Sequence, residues 1–134
     1  MPTNQQPTPP AGITWQAARA IATARLDAMA EQWRAAGIDP AALDGQAAPV
    51  ACYASQADYS ELRPEDRPAR VEDHAVIVRA CVQEARKRWG FRLVPMTIDK
   101  PGMLAWLAAH RLENTAGTRA AYLAHKFQTL SFEP

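Results

Sequence analysis

The chain has 134 residues, with 15 lysines and arginines against 14 acidic residues and a formal net charge of +1. That length suits one domain able to bury a core without disulfide or metal staples. The near-neutral balance argues against a partner held by bulk electrostatics, such as a long nucleic-acid surface or an anionic membrane. Hydrophobic residues make up 48% of the sequence, but many are alanine, so bulky core side chains are scarcer than the figure implies.

Residues 1–13, with Pro2, Pro7, Pro9 and Pro10 among polar residues, read as a flexible arm, and 14–134 as a single helical domain. Thr14 is the expected cap of a first helix. From Trp15 the apolar residues recur at Ala18, Ala22, Leu26, Met29 and Trp33, every step three or four, which is one helical stripe. Gly37 suits the position just past its end. Asp39 followed by Pro40 predicts a single helical turn over 40–43, and Asp44-Gly45 a reverse turn. Residues 50–54, after Pro49, are short, apolar and compatible with a brief strand. Residues 55–67 are polar and charged and predict a long connection with one helical turn around 58–62.

Pro68 is the expected opening of a second long helix, whose stripe is Val71, Ala75, Val78, Val82, Ala85 and Trp89. Glu72 and Asp73 stand near its start and Arg86, Lys87 and Arg88 near its end, the polarity that the helix dipole favours. Gly90 terminates it. Residues 91–98 predict an extended segment, and Pro95 assigns it to a sheet edge. Asp99 and Pro101 start a helix carrying 103–112; Asn114 and Thr115 punctuate; a last helix covers 118–130. The fold class predicted is mainly α within α+β: about four helices packed with a short two-stranded β-ribbon. Such a ribbon is marginal alone, so the helices must carry the stability.

Catalytic patterns are missing from this sequence. Cys52 and Cys81 lie in different segments without Cys-x-x-Cys spacing, which predicts free thiols in a reducing compartment. His74 and Cys81 share a helix at i and i+7, about 10 Å apart and beyond hydrogen-bond reach. No metal-ligand spacing recurs, His-Glu-x-x-His is absent, and the six glycines are scattered singly. The expectation is a binding protein without metal or cofactor, the lesser reading being a thiol enzyme that pairs Cys52 with a histidine distant in sequence. The first residues lack a basic start and an apolar core, and no apolar run approaches the roughly 20 residues of a membrane span. A cytoplasmic location is therefore expected.

Two binding readings follow. Tryptophan and arginine are the residue types enriched at interface hot spots, and Trp15 sits at a helix start beside the arm. Tyr53, Asp58, Tyr59, Glu61, Arg63, Arg67 and Arg70 form an aromatic and charged segment whose charges suit specificity and association rate. Together they predict a non-enzymatic module acting on a protein partner as a regulator, adaptor or inhibitor. The alternative is a nucleic-acid-binding regulator. Arg86, Lys87, Arg88 and Arg92 interleave with Trp89 and Phe91, a pattern that can clamp phosphates and stack on bases. The last two helices form a helix-turn-helix-like hairpin that would present Thr118, Arg119 and Tyr122 to DNA.

Overall fold

The structure, a computed structural model, describes residues 12–63 and 67–131. Most of the arm expected over 1–13 lies outside the described residues. Its last residue is held in place: the Ile13 N–H donates to Asp73 Oδ1 at 3.1 Å, and the Ile13 side chain packs on the core. Asp73 thereby anchors the entry to the first helix as well as favouring the start of its own.

Thr14 caps α1 (Trp15–Ala35), its hydroxyl accepting from the Ala17 N–H. Ala18, Ala22 and Leu26 are fully buried where α1 meets α3 (Val71–Trp89), the main helix–helix contact. Ile77, Ala80 and Ala85 of α3 join the same cluster. Alanines on both helices let the axes approach closely, so the alanine bias in the composition has a packing role. At the far end of α1, Trp33 meets Trp89 edge to face at 5.2 Å and Phe91 at 5.6 Å. Asp39 caps a single 3-10 turn, Pro40–Leu43, as its Asp-Pro pair predicts.

β1 (Ala47–Tyr53) and β2 (Arg92–Ile98) pair in parallel, Ala47 opposite Arg92 and Tyr53 opposite Ile98. Parallel pairing needs a long crossover, and α2 (Gln56–Leu62) with α3 supplies it. β1 starts at Ala47, earlier than its side chains predict. The ladder begins at a backbone corner: Gly45 N–H donates to Gly90 O at 3.0 Å and Arg92 N–H to Gln46 O at 2.9 Å. Among the described residues the sheet has two strands, so each has an open edge there, which accommodates both Pro49 and Pro95.

Gly90 ends α3 at φ +65°, and a Cβ there would sit 1.9 Å from Asp44 Oδ1. Gly90→Ala is expected to cost about 1–2 kcal/mol through the left-handed backbone alone. Urea denaturation would read this as a lower midpoint at unchanged slope.

α3 begins at Val71 rather than at Pro68 because the preceding carbonyl and amide groups are engaged elsewhere. The Tyr59 hydroxyl donates to Pro68 O, and Val71 N–H donates to Gln56 Oε1 at 2.8 Å. α4 (Lys100–Ala109) stops short of residue 112, where Arg111 takes φ 55°. α5 (Ala116–Ser131) starts two residues early because Thr115 Oγ1 accepts the Thr118 N–H. Leu62, Ile98, Met103, Leu107, Tyr122 and Leu123 form a second buried cluster under α4 and α5, and α5 also packs on β1. The architecture is mainly α with a small β component, with five α-helices among the described residues. None of those helices is long and apolar enough to cross a membrane.

Candidate functional site

A cleft of about 600 Å³ opens where the two buried clusters meet. Met29 of α1, Val50 of β1, Val78 of α3, Leu93 and Ile98 of β2 and Leu123 of α5 make its walls largely apolar. Into it come Arg25 from α1, Arg67 from the connection between α2 and α3, and Arg119 from α5. No aspartate or glutamate among the described residues lines it. All three arginines are half-buried. Arg119 Nη1 donates to Asn114 Oδ1 at 2.8 Å, which steers the guanidinium from the start of α5. Ala116, the first residue of α5, also lines the cleft, so the positive end of that helix dipole borders it.

His74 of α3 lines the same space and is 6% exposed. Its Nε2 lies 2.9 Å from the carbonyl oxygen of Ala51 in β1. A carbonyl can only accept, so Nε2 carries the proton and Nδ1 of the neutral ring is a hydrogen-bond acceptor. Nδ1 is buried and has no partner. Burial pushes the His74 pKa below its ordinary value; the bond to Ala51 opposes this, and the nearby Arg25 and Arg67 charges reinforce it. The ring is therefore neutral at pH 7.

Tyr59 and Tyr53 hold this imidazole, with ring centroids 5.1 and 5.4 Å away and 5.0 Å from each other. Burial raises the Tyr53 phenol, and Arg119 and Arg67 act against that rise. Tyr53 stays protonated at neutral pH and offers an O–H donor at the cleft wall. Cys81 lines the cleft too, and burial raises both it and Cys52, so both are thiols at neutral pH.

The buried neutral His74 has a stability consequence with a definite sign. Its folded pKa lies below the unfolded value of about 6.5, so between the two the unfolded chain binds more protons. Stability is fully present above that unfolded value and falls as pH drops through it toward the folded pKa. Melting temperature is expected to decline below about pH 6.5, and His74→Gln should flatten that decline.

The residues predicted from sequence divide between this cleft and other places. Tyr53 and Arg67 line it. Tyr59 is a correction: it is 0% exposed and props the His74 ring, so it cannot touch a partner. Asp58 is half-buried on α2, and Glu61 pairs with Lys100 Nζ at 2.8 Å. Arg63 Nη1 donates to Arg67 O at 2.9 Å, and Arg70 lies 3.5 Å from Glu72. Trp15, 37% exposed, borders a separate shallow hollow with Arg19, Gln83 and Lys87.

The nucleic-acid set is dispersed. Arg119 lines the cleft, while Tyr122 is 4% exposed inside the second cluster, too buried to face DNA. The Thr118 hydroxyl is engaged at the α5 cap with Thr115 and Glu113. Arg88 is bound to Asp27 at 2.7 Å and Glu84 at 3.3 Å. Arg86, Lys87 and Arg92 are exposed beside the first cluster, whereas the α4–α5 hairpin belongs to the second.

Arg25 and His74 are the cleft residues that the sequence patterns do not announce as a site. Arg25 stands three residues after Ala22 and four before Met29, and His74 three after Val71 and four before Val78. Arg119 likewise stands four before Leu123. Each is an ionisable residue inside an apolar stripe, a position such residues rarely take unless paired or functional.

No protein-family model matches this chain, and no curated protein matches it. Among the described residues no group of three or more His, Cys, Asp or Glu is placed to hold a metal ion.

Proposed function

We propose that this chain is a non-enzymatic binding module acting on a protein partner, and that the arginine-lined cleft receives an acidic group of that partner. The observation that supports the reading is that Arg119 enters an apolar-walled cleft bordered by Ala116, the first residue of its own helix. Guanidinium forks match carboxylate geometry and stay charged at any physiological pH. An anion beside the Arg119 guanidinium is attracted more strongly than at an open surface because the walls are apolar. The volume lies within the range of about 300–1,000 Å³ in which pockets enclose a small group rather than a flat interface. Free thiols at Cys52 and Cys81 fit a cytoplasmic setting, which is part of the proposal.

Partner capture from nuclease-treated lysate distinguishes this from the basic-cluster reading. The chain carrying Arg119→Gln is expected to lose its protein companion. The chain carrying Arg86→Gln, Lys87→Gln and Arg92→Gln is expected to keep it. The opposite result would move the interface to the end of α3.

A further inference from the structure

We propose that the outer groove between α1 and α3 binds a short stretch of single-stranded nucleic acid, with a base stacked on Trp15 and phosphates held by Arg19, Arg79, Arg86 and Lys87. Trp15 and Arg19 of α1 border a shallow hollow of about 210 Å³ together with Gln83 and Lys87 of α3. It shares no lining residue with the cleft. Trp15 is 37% exposed at the start of α1, and Arg19 follows one turn later on the same side. On α3, Arg79, Arg86 and Lys87 each lie within about one turn of Gln83, so the four make one exposed ridge along the hollow.

The net charge of +1 conceals how the charges are paired. Lys100 is held by Glu61, Arg70 lies beside Glu72, and Arg119 donates to Asn114. Arg19, Arg79, Arg86 and Lys87 are exposed, and none forms an ion pair or side-chain hydrogen bond among the described residues. Glu84, the single carboxylate in the described lining of the hollow, is engaged by Arg88 at 3.3 Å. Arg88 is thus the counter-ion of Glu84 and leaves the four cations around it uncompensated.

Four such cations suit a polyanion, and the indole decides which kind. An exposed aromatic ring beside them stacks on a base while they hold phosphates, whatever the base, because every base has a π-face. A run of carboxylates in a protein segment has no flat ring to set on Trp15. Bases inside a duplex are stacked on one another, whereas those of a single strand are free to turn onto a side chain. The ridge from Arg79 to Lys87 is about 12 Å long, enough for a few nucleotides.

Fluorescence anisotropy of the full chain with labelled oligo-uridylate and oligo-thymidylate dodecamers tests this. At least one should bind, its log affinity falling against log salt by about 0.7 for each phosphate contact. Tighter binding of one strand assigns RNA or DNA, and equal binding assigns single strands of either kind. Arg79→Gln with Arg86→Gln should weaken binding and reduce the salt slope by about 1.4, two contacts' worth. Trp15→Ala should weaken it about fivefold or more, the scale of one stacked base, and Trp15→Phe should restore part of the loss. The Trp15 indole N–H resonance should shift as the strand is added.

An abasic strand of equal length that binds as tightly, or a Trp15 resonance that stays still, would overturn base stacking. A duplex or a polyglutamate peptide that binds more tightly than either single strand would overturn the choice of ligand and assign the ridge to that polyanion. No binding of either strand at low salt, or binding indifferent to salt or to Arg79→Gln with Arg86→Gln, would overturn the site itself.

Discussion

Arg119→Ala is expected to lower affinity for the acidic partner about ten- to a hundredfold while the fold remains intact. Hydrogen bonds to a charged group contribute about 1.5–3 kcal/mol, and each 1.4 kcal/mol is about tenfold in affinity. The remaining structure has little reason to respond. Arg119 sits in the first turns of α5, alanine is the best helix former, and its hydrogen bond to Asn114 is exposed to solvent. Tyr122 and Leu123, which fix α5 to the second cluster, are untouched. Binding measured at two salt concentrations checks the assignment, because removing one guanidinium should also weaken the salt dependence. Wild-type affinity with wild-type salt dependence would remove Arg119 from the site.

Leu26→Ala is expected to cost about 3 kcal/mol, among the largest single effects on stability in this chain. Leu26 is 0% exposed at the α1–α3 contact, where Ala18, Ala22, Ala80 and Ala85 are also buried. Removing its branched end leaves a cavity into which the surrounding core relaxes only partly. Against a total stability of about 5–15 kcal/mol for a domain of this size, the loss is severe. Urea denaturation should show the midpoint fall by about 1–3 M at unchanged slope. Asp27→Asn, one residue along the same helix, is expected to cost less than about 1 kcal/mol. It breaks only an exposed pair with Arg88, which keeps Glu84.

Much of the helical framework is legible in the sequence because its determinants are local. Thr14 before Trp15 and Gly90 after Trp89 mark real ends, and the α1 stripe follows its buried face from Ala18 onward, whereas α3 buries His74, Ile77, Ala80 and Cys81 beside Val78 and Ala85 and leaves Ala75 of the predicted stripe exposed. The strands are less legible because their pairing is not local. Ala47 joins β1 through the corner at Gly45 and Gly90, not through any β-forming side chain, and parallel pairing becomes evident only once α2 and α3 are placed between the strands. Segment 55–67 reads as a polar connection with one helical turn around 58–62, and the turn is there as α2, but the polarity hides its burial. Tyr59 and Leu62 sit one turn apart on α2, both fully buried, and their few bulky atoms outweigh the surrounding charges.

The cleft is the least legible part. Arg25, His74 and Arg119 are separated in sequence and come together only when α1, α3 and α5 surround the strands. Their common signature, an ionisable residue interrupting an apolar stripe, is present in the sequence but says nothing about which interruptions converge. Arg86, Lys87, Arg88 and Arg92 show the converse. Adjacent in sequence, they look like a site, yet Arg88 is consumed by Asp27 and Glu84.

Whether the cleft is the docking site can be read from the arginine Nε–H resonances of the isotopically labelled chain as an acidic peptide is titrated in. Arg119 is expected to move along a saturable curve, while Arg86 and Arg92 stay still. Movement confined to Arg86 and Arg92, or no saturable movement at Arg119, would contradict docking in the cleft.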